Sequence, residues 1–94
     1  MYATRPLFPL GRIVATPGAL ETLRNAGQDI RELLTRHASG DWGTLSEDDR
    51  NENDFAVPRA LRLLSAYPLT TGEKLWIITE ADRSATTLLL PAEY

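Results

Sequence analysis

Apolar positions recur every three or four residues in the first half of this chain and every second residue near its end. The spacing of Ala19, Leu20 and Leu23 predicts a helix face. Thr16-Pro17 marks its start, with Thr16 as the N-cap and Pro17 at the first helical position, and Gly27 is placed to end it in a left-handed conformation. A second helix opens at Asp29, sets Ile30, Leu33, Leu34 and His37 at core spacing, and closes at Gly40. Glu32 and Arg36 fall an i,i+4 step apart on its flank. Ser46, followed by Glu47-Asp48-Asp49, reads as a third helix start, because the carboxylates complement the positive end of the helix dipole. That helix is expected to carry Phe55 and Ala56 inward and to stop near Pro58.

The alternating pattern belongs to strands. Lys74-Leu75-Trp76-Ile77-Ile78-Thr79-Glu80 is rich in β-branched and aromatic residues and apolar on both faces, which predicts a doubly covered central strand. Ala81 to Ser84 is a polar turn, and Thr86 to Leu90 is the returning strand of a hairpin that ends by Pro91. Thr70-Thr71-Gly72-Glu73 is a further turn, and the segment before it, Leu61 to Tyr67, reads as a strand although its leucines also fit a helix. Gly11 to Ala15 is a short strand, set at an edge by the nearby prolines. The expected fold is α+β over a single domain, residues 1–94. It has a small antiparallel sheet of three or four strands, with 74–80 between 61–67 and 86–90, and two or three short helices packed mainly on one face.

Composition narrows the functional classes. A chain of 94 residues that is 43% hydrophobic and 24% charged has the make-up of an ordinary globular domain. Cysteine is absent and His37 is the sole histidine, so thiolate and multi-histidine metal sites are excluded and no cofactor is expected. Met1-Tyr2-Ala3-Thr4-Arg5-Pro6 lacks the charged segment and apolar run of a signal peptide, and no stretch approaches the roughly 20 apolar residues of a membrane span. A cytoplasmic location without membrane contact is therefore expected. The net charge of −3 and the scattering of basic residues from Arg5 to Arg83 argue against nonspecific nucleic-acid binding.

Three clusters offer chemistry, each with a plainer alternative. His37, Asp41 and Trp42 read as a helix-end imidazole with an orienting carboxylate and a stacking face, or as a cap, a turn and a core plug. The turn around Glu80, Asp82, Arg83 and Ser84 gathers carboxylates, hydroxyls and a guanidinium suited to a phosphate or carboxylate, or it is a well-capped turn. The acidic stretch with Glu47, Asp48, Asp49, Glu52 and Asp54 against Arg50 reads as a surface for a basic partner, or as a solvated helix face.

Three blocks of the chain also resemble a known group of proteins. They are Gly11-Arg12-Ile13-Val14-Ala15-Thr16-Pro17-Gly18-Ala19-Leu20, Arg36-His37-Ala38-Ser39-Gly40-Asp41-Trp42-Gly43, and Trp76 to Ser84 with Leu89-Leu90-Pro91-Ala92-Glu93-Tyr94. Together these look like a family of short bacterial proteins labelled plasmid-related or hypothetical and carried on plasmids and integrated mobile elements. The resemblance implies a genetic setting and brings no activity, cofactor or site residue. The leading expectation is a non-enzymatic accessory protein that meets a protein partner through the sheet or the acidic helix; self-association is compatible with it. The alternatives are a metal-independent hydrolase or nuclease using His37, Glu80 and Arg83, and an acidic-surface inhibitor of a host nucleic-acid-binding or defence protein.

Overall fold

The elements run β1 (Arg12–Ala15), α1 (Pro17–Ala26), α2 (Ile30–Ala38), α3 (Glu47–Ala56), β2 (Leu63–Pro68), β3 (Lys74–Thr79) and β4 (Ala85–Leu89), in a computed structural model that describes residues 5–94. Met1 to Thr4, part of the segment read above for a leader, lie outside the described residues. Single 3₁₀ turns follow α3 at Val57–Arg59 and β4 at Pro91–Glu93.

The helix boundaries follow from their caps. Thr16 Oγ1 accepts the amide of Ala19 at 3.0 Å, Pro17 begins α1, and Gly27 ends it at φ 65°. Asp29 caps α2 through the amide of Arg31 at 2.9 Å. Ser46 caps α3 through the amide of Asp49 at 3.2 Å. Leu20, assigned inward by spacing, is exposed, and so is Phe55 at 55%. Ala56 is buried as expected, and Asn53 takes the other inward position of α3. Arg36 turns from Glu32 to Asp41, its Nε 2.6 Å from Oδ2.

The sheet order is β1-β4-β3-β2, so β3 lies between the strands expected to flank it. β2–β3 and β3–β4 are antiparallel, with Ser65 opposite Ile77 and Ile77 opposite Leu88. The sheet is mixed rather than purely antiparallel, because β1 runs parallel to β4 with Ile13 opposite Thr86. The cause is connectivity: α1, α2 and α3 intervene before the chain returns, and such a crossover permits a parallel neighbour where a tight turn does not. Gly11 makes the approach, since at φ 66° a Cβ there would stand 2.4 Å from the carbonyl oxygens of Arg83 and Ser84.

One sheet face carries Leu75, Ile77, Tyr67 and Leu88 against Ala19 and Leu23 of α1 and Leu33 of α2. Phe8, Trp42, Ala56 and Leu63 form a second cluster beside it. The other face is covered less completely than the sequence suggests, for Trp76 is only half-buried there. α3 lies along the outer side of β2, where the Asn53 carboxamide donates to Leu64 O at 2.7 Å and accepts from Leu64 N at 3.3 Å. The next outward pair on β2 is taken by the 42–44 segment: Ala66 N donates to Trp42 O at 3.1 Å, and Thr44 N donates to Ala66 O at 2.8 Å.

Candidate functional site

The buried polar residues come first, because His37 was a candidate for catalysis. It projects from the last turn of α2 into the core and is fully buried. Nδ1 lies 2.6 Å from Ser65 Oγ and Nε2 lies 2.8 Å from Thr79 Oγ1. Thr79 Oγ1 is 2.7 Å from Thr86 Oγ1, which donates to the carbonyl of Leu10 at 2.7 Å. That last carbonyl only accepts, and it sets the direction of the whole chain. Thr86 donates to Leu10, Thr79 donates to Thr86, Nε2–H donates to Thr79, and Ser65 donates to Nδ1. That direction puts a proton on Nε2, and burial favours the neutral ring, whose Nδ1 then accepts from Ser65. Burial, and secondarily the charge of Arg83, lowers its pKa from 6.5 to about 4. Ser65 beside His37 has the composition of a nucleophile and a base, but both are sealed from solvent and neither ring nitrogen is left for a substrate.

The neighbours expected to serve His37 are engaged elsewhere. Asp41 pairs with Arg36, and that hydrogen bond holds its carboxyl below the usual range. Trp42 is buried against Phe8 and His37, and its indole N–H donates to Asp54 Oδ1 at 2.9 Å. In the β3–β4 turn, Asp82 Oδ1 accepts the amide of Ser84 at 3.0 Å. Among the described residues Arg83 pairs with no carboxylate. Its guanidinium donates to the carbonyls of Leu61 at 2.6 Å, Glu80 at 3.1 Å, and Ala81, Ala56 and Val57 at 3.3 Å each. Arg83 therefore ties the turn to the end of α3, with its donors turned inward. Phe8 touches both His37 and Arg83, with its ring centroid 5.3 Å from the imidazole and 5.5 Å from the guanidinium carbon. Glu80 is half-buried at the far end of β3. Among the described residues no three His, Asp or Glu side chains gather as a metal site, and no helix is long and apolar enough to cross a membrane.

An open groove of about 510 Å³ lies between α3 and the outer sheet face. Its floor is Leu64, Trp76 and Ile78, and Phe55 and Leu61 stand at its border. The inner wall is α3, which presents Asp49, Glu52, Asn53 and Ala56, an i, i+3, i+4, i+7 series on one helix face. The opposite wall is Arg62 with Tyr94, whose hydroxyl accepts from Arg62 at 2.7 Å and whose ring meets Trp76 edge-on at 5.7 Å. Phe55, Leu61 and Tyr94 are 55%, 46% and 69% exposed and meet here, while the other exposed large apolar side chains, Leu7, Ile13, Val14 and Leu20, lie outside the groove. Of the acidic candidates, Asp49 and Glu52 line the groove, whereas Glu47, Asp48 and Asp54 stand on α3 outside its lining. Asn53, Leu64, Trp76 and Tyr94 entered no sequence-based cluster. The available signal was the second apolar face of β3, which lacks a helix to cover it. No family model, curated protein or solved structure matches the chain.

Proposed function

We propose that this chain is a non-enzymatic interaction protein that seats a segment of a protein partner in the groove between α3 and the outer face of the sheet. The observation that carries this reading is the gathering of Phe55, Leu61 and Tyr94 around a half-open apolar floor. A contiguous apolar patch left in water marks a docking surface more often than it marks incomplete folding. The groove also falls within the roughly 300–1,000 Å³ of pockets that enclose ligands. Its acidic wall repels phosphates, which favours a protein over a nucleic acid. The resemblance to proteins of plasmids and integrated elements supports a cytoplasmic partner belonging to the element or its host. A photoreactive residue placed at Phe55 or Leu61 is expected to crosslink to a discrete protein in extracts of the source cell, and one at Arg24 is not. Equal labelling from all three positions, or none, overturns the reading.

A further inference from the structure

We infer that the segment taken by the groove is a basic amphipathic helix of another protein; this rests on the docking role proposed above and names the chemistry of the partner. The main chain decides the helical form. The outward groups of β2 beside the groove are occupied, those of Leu64 by Asn53 and those of Ala66 by Trp42 and Thr44. An incoming strand finds no ladder to join there, and its own amides and carbonyls would lose water over an apolar floor without gaining partners. A helix satisfies its backbone internally and offers the floor only side chains.

The wall decides the charge. Of the α3 charges, Asp49 and Glu52 line the groove, Glu47 and Asp48 lie on the same helix outside it, and Arg59 just beyond the helix is stacked on the Phe55 ring at 3.7 Å. Among the described residues the salt bridges are Arg31–Asp29 and Arg36–Asp41, both remote from the groove, so neither Asp49 nor Glu52 has a cation partner. Arg62 stands across the floor, committed to Tyr94. Lysines or arginines flanking an apolar stripe lay their methylene stems along Leu64 and Trp76 and bring their charge to the α3 carboxylates. A second copy of this chain does not supply such a helix, because the apolar faces of α1 and α2 are spent in the core.

The test titrates the folded protein with fluorescently labelled peptides. These are a helical peptide with Leu on one face and Lys on the other, its Leu/Glu counterpart, and an alternating Leu/Lys peptide that favours strands. The Leu/Lys helix is expected to bind at least about tenfold more tightly than the others. The D49N/E52Q double variant is expected to lose most of that preference, as does wild type at high salt. Failure of the Leu/Lys helix to bind, or an alternating peptide that binds as well, overturns the inference. If the Leu/Glu helix binds equally and Leu64→Lys abolishes it, the charge inference falls while the docking groove stands. If Leu64→Lys, confirmed folded by circular dichroism, leaves peptide binding unchanged, both fall.

Discussion

His37 is enclosed between two hydroxyls and feels the charge of Arg83, so a second proton on the ring would be a buried cation. Its pKa of about 4 in the fold lies below the ordinary 6.5, so from pH 6.5 downward the unfolded chain binds the proton that the native state refuses. Stability is therefore full above pH 6.5 and falls through the window down to pH 4, by roughly 3 kcal/mol in all at 1.36 kcal/mol per pH unit. Asp41 and Asp82, whose pKa values are lowered, lose their contribution only at more acid pH, as they protonate. Urea unfolding at pH 7 and pH 4.5 is expected to show the loss, and His37→Gln to remove most of the difference while lowering stability at pH 7. Nitrogen NMR of the ring is expected to show the Nε2–H form. Arg83 gives a second test at this scale, since it holds φ 61° while its guanidinium clamps carbonyls. Arg83→Ala is expected to cost about 3 kcal/mol. Arg83→Gly, which loses the same clamp but relaxes the backbone, is expected to cost about 1 kcal/mol less in chemical denaturation.

At the scale of elements, Asn53 fastens α3 to β2 with both a donor and an acceptor. Asn53→Asp keeps the acceptor for Leu64 N but turns a carboxylate oxygen toward Leu64 O, so a loss of about 2 kcal/mol is expected. Hydrogen exchange at the Leu64 amide is expected to speed up with it. Gly43→Ala is expected to release the 42–44 segment, since a Cβ at φ 79° would fall 1.9 Å from the carbonyl oxygen of Ala66. Loss of protection at the Ala66 amide is the measurement. Caps and periods made most of the elements legible in the sequence: Thr16-Pro17, Asp29 and Ser46 each start a helix, and β3 is central as its two apolar faces predict. The direction of β1 was not legible, because a strand of four residues states its hydrophobicity but not its neighbour. Leu20 and Phe55 were misassigned by period alone, which fixes the angle between side chains but not which angle faces the core.

Across the whole molecule, the candidate site is a property of assembly. Glu47 to Asp49 announce an acidic helix, but that the helix forms one wall of a groove depends on where Asn53 anchors it, some ten residues of sequence from its strand. Trp76 reports on this wall. It is half-buried on the groove floor while Trp42 is enclosed, so collisional quenching of tryptophan emission is expected to come from Trp76. At low salt, caesium is expected to quench it more strongly than iodide, and D49N/E52Q to narrow the gap. A stronger effect of iodide would contradict an acidic wall. The fastening of β2 by Asn53, Trp42 and Thr44 has a consequence for solubility as well. A sheet polymerises edge to edge only if both of its outer strands can recruit, and here one side is shut by the protein's own groups. Growth through the remaining edge at β1 ends when two sheets have met, so this fold forbids the open-ended fibre that an unguarded pair of edges invites.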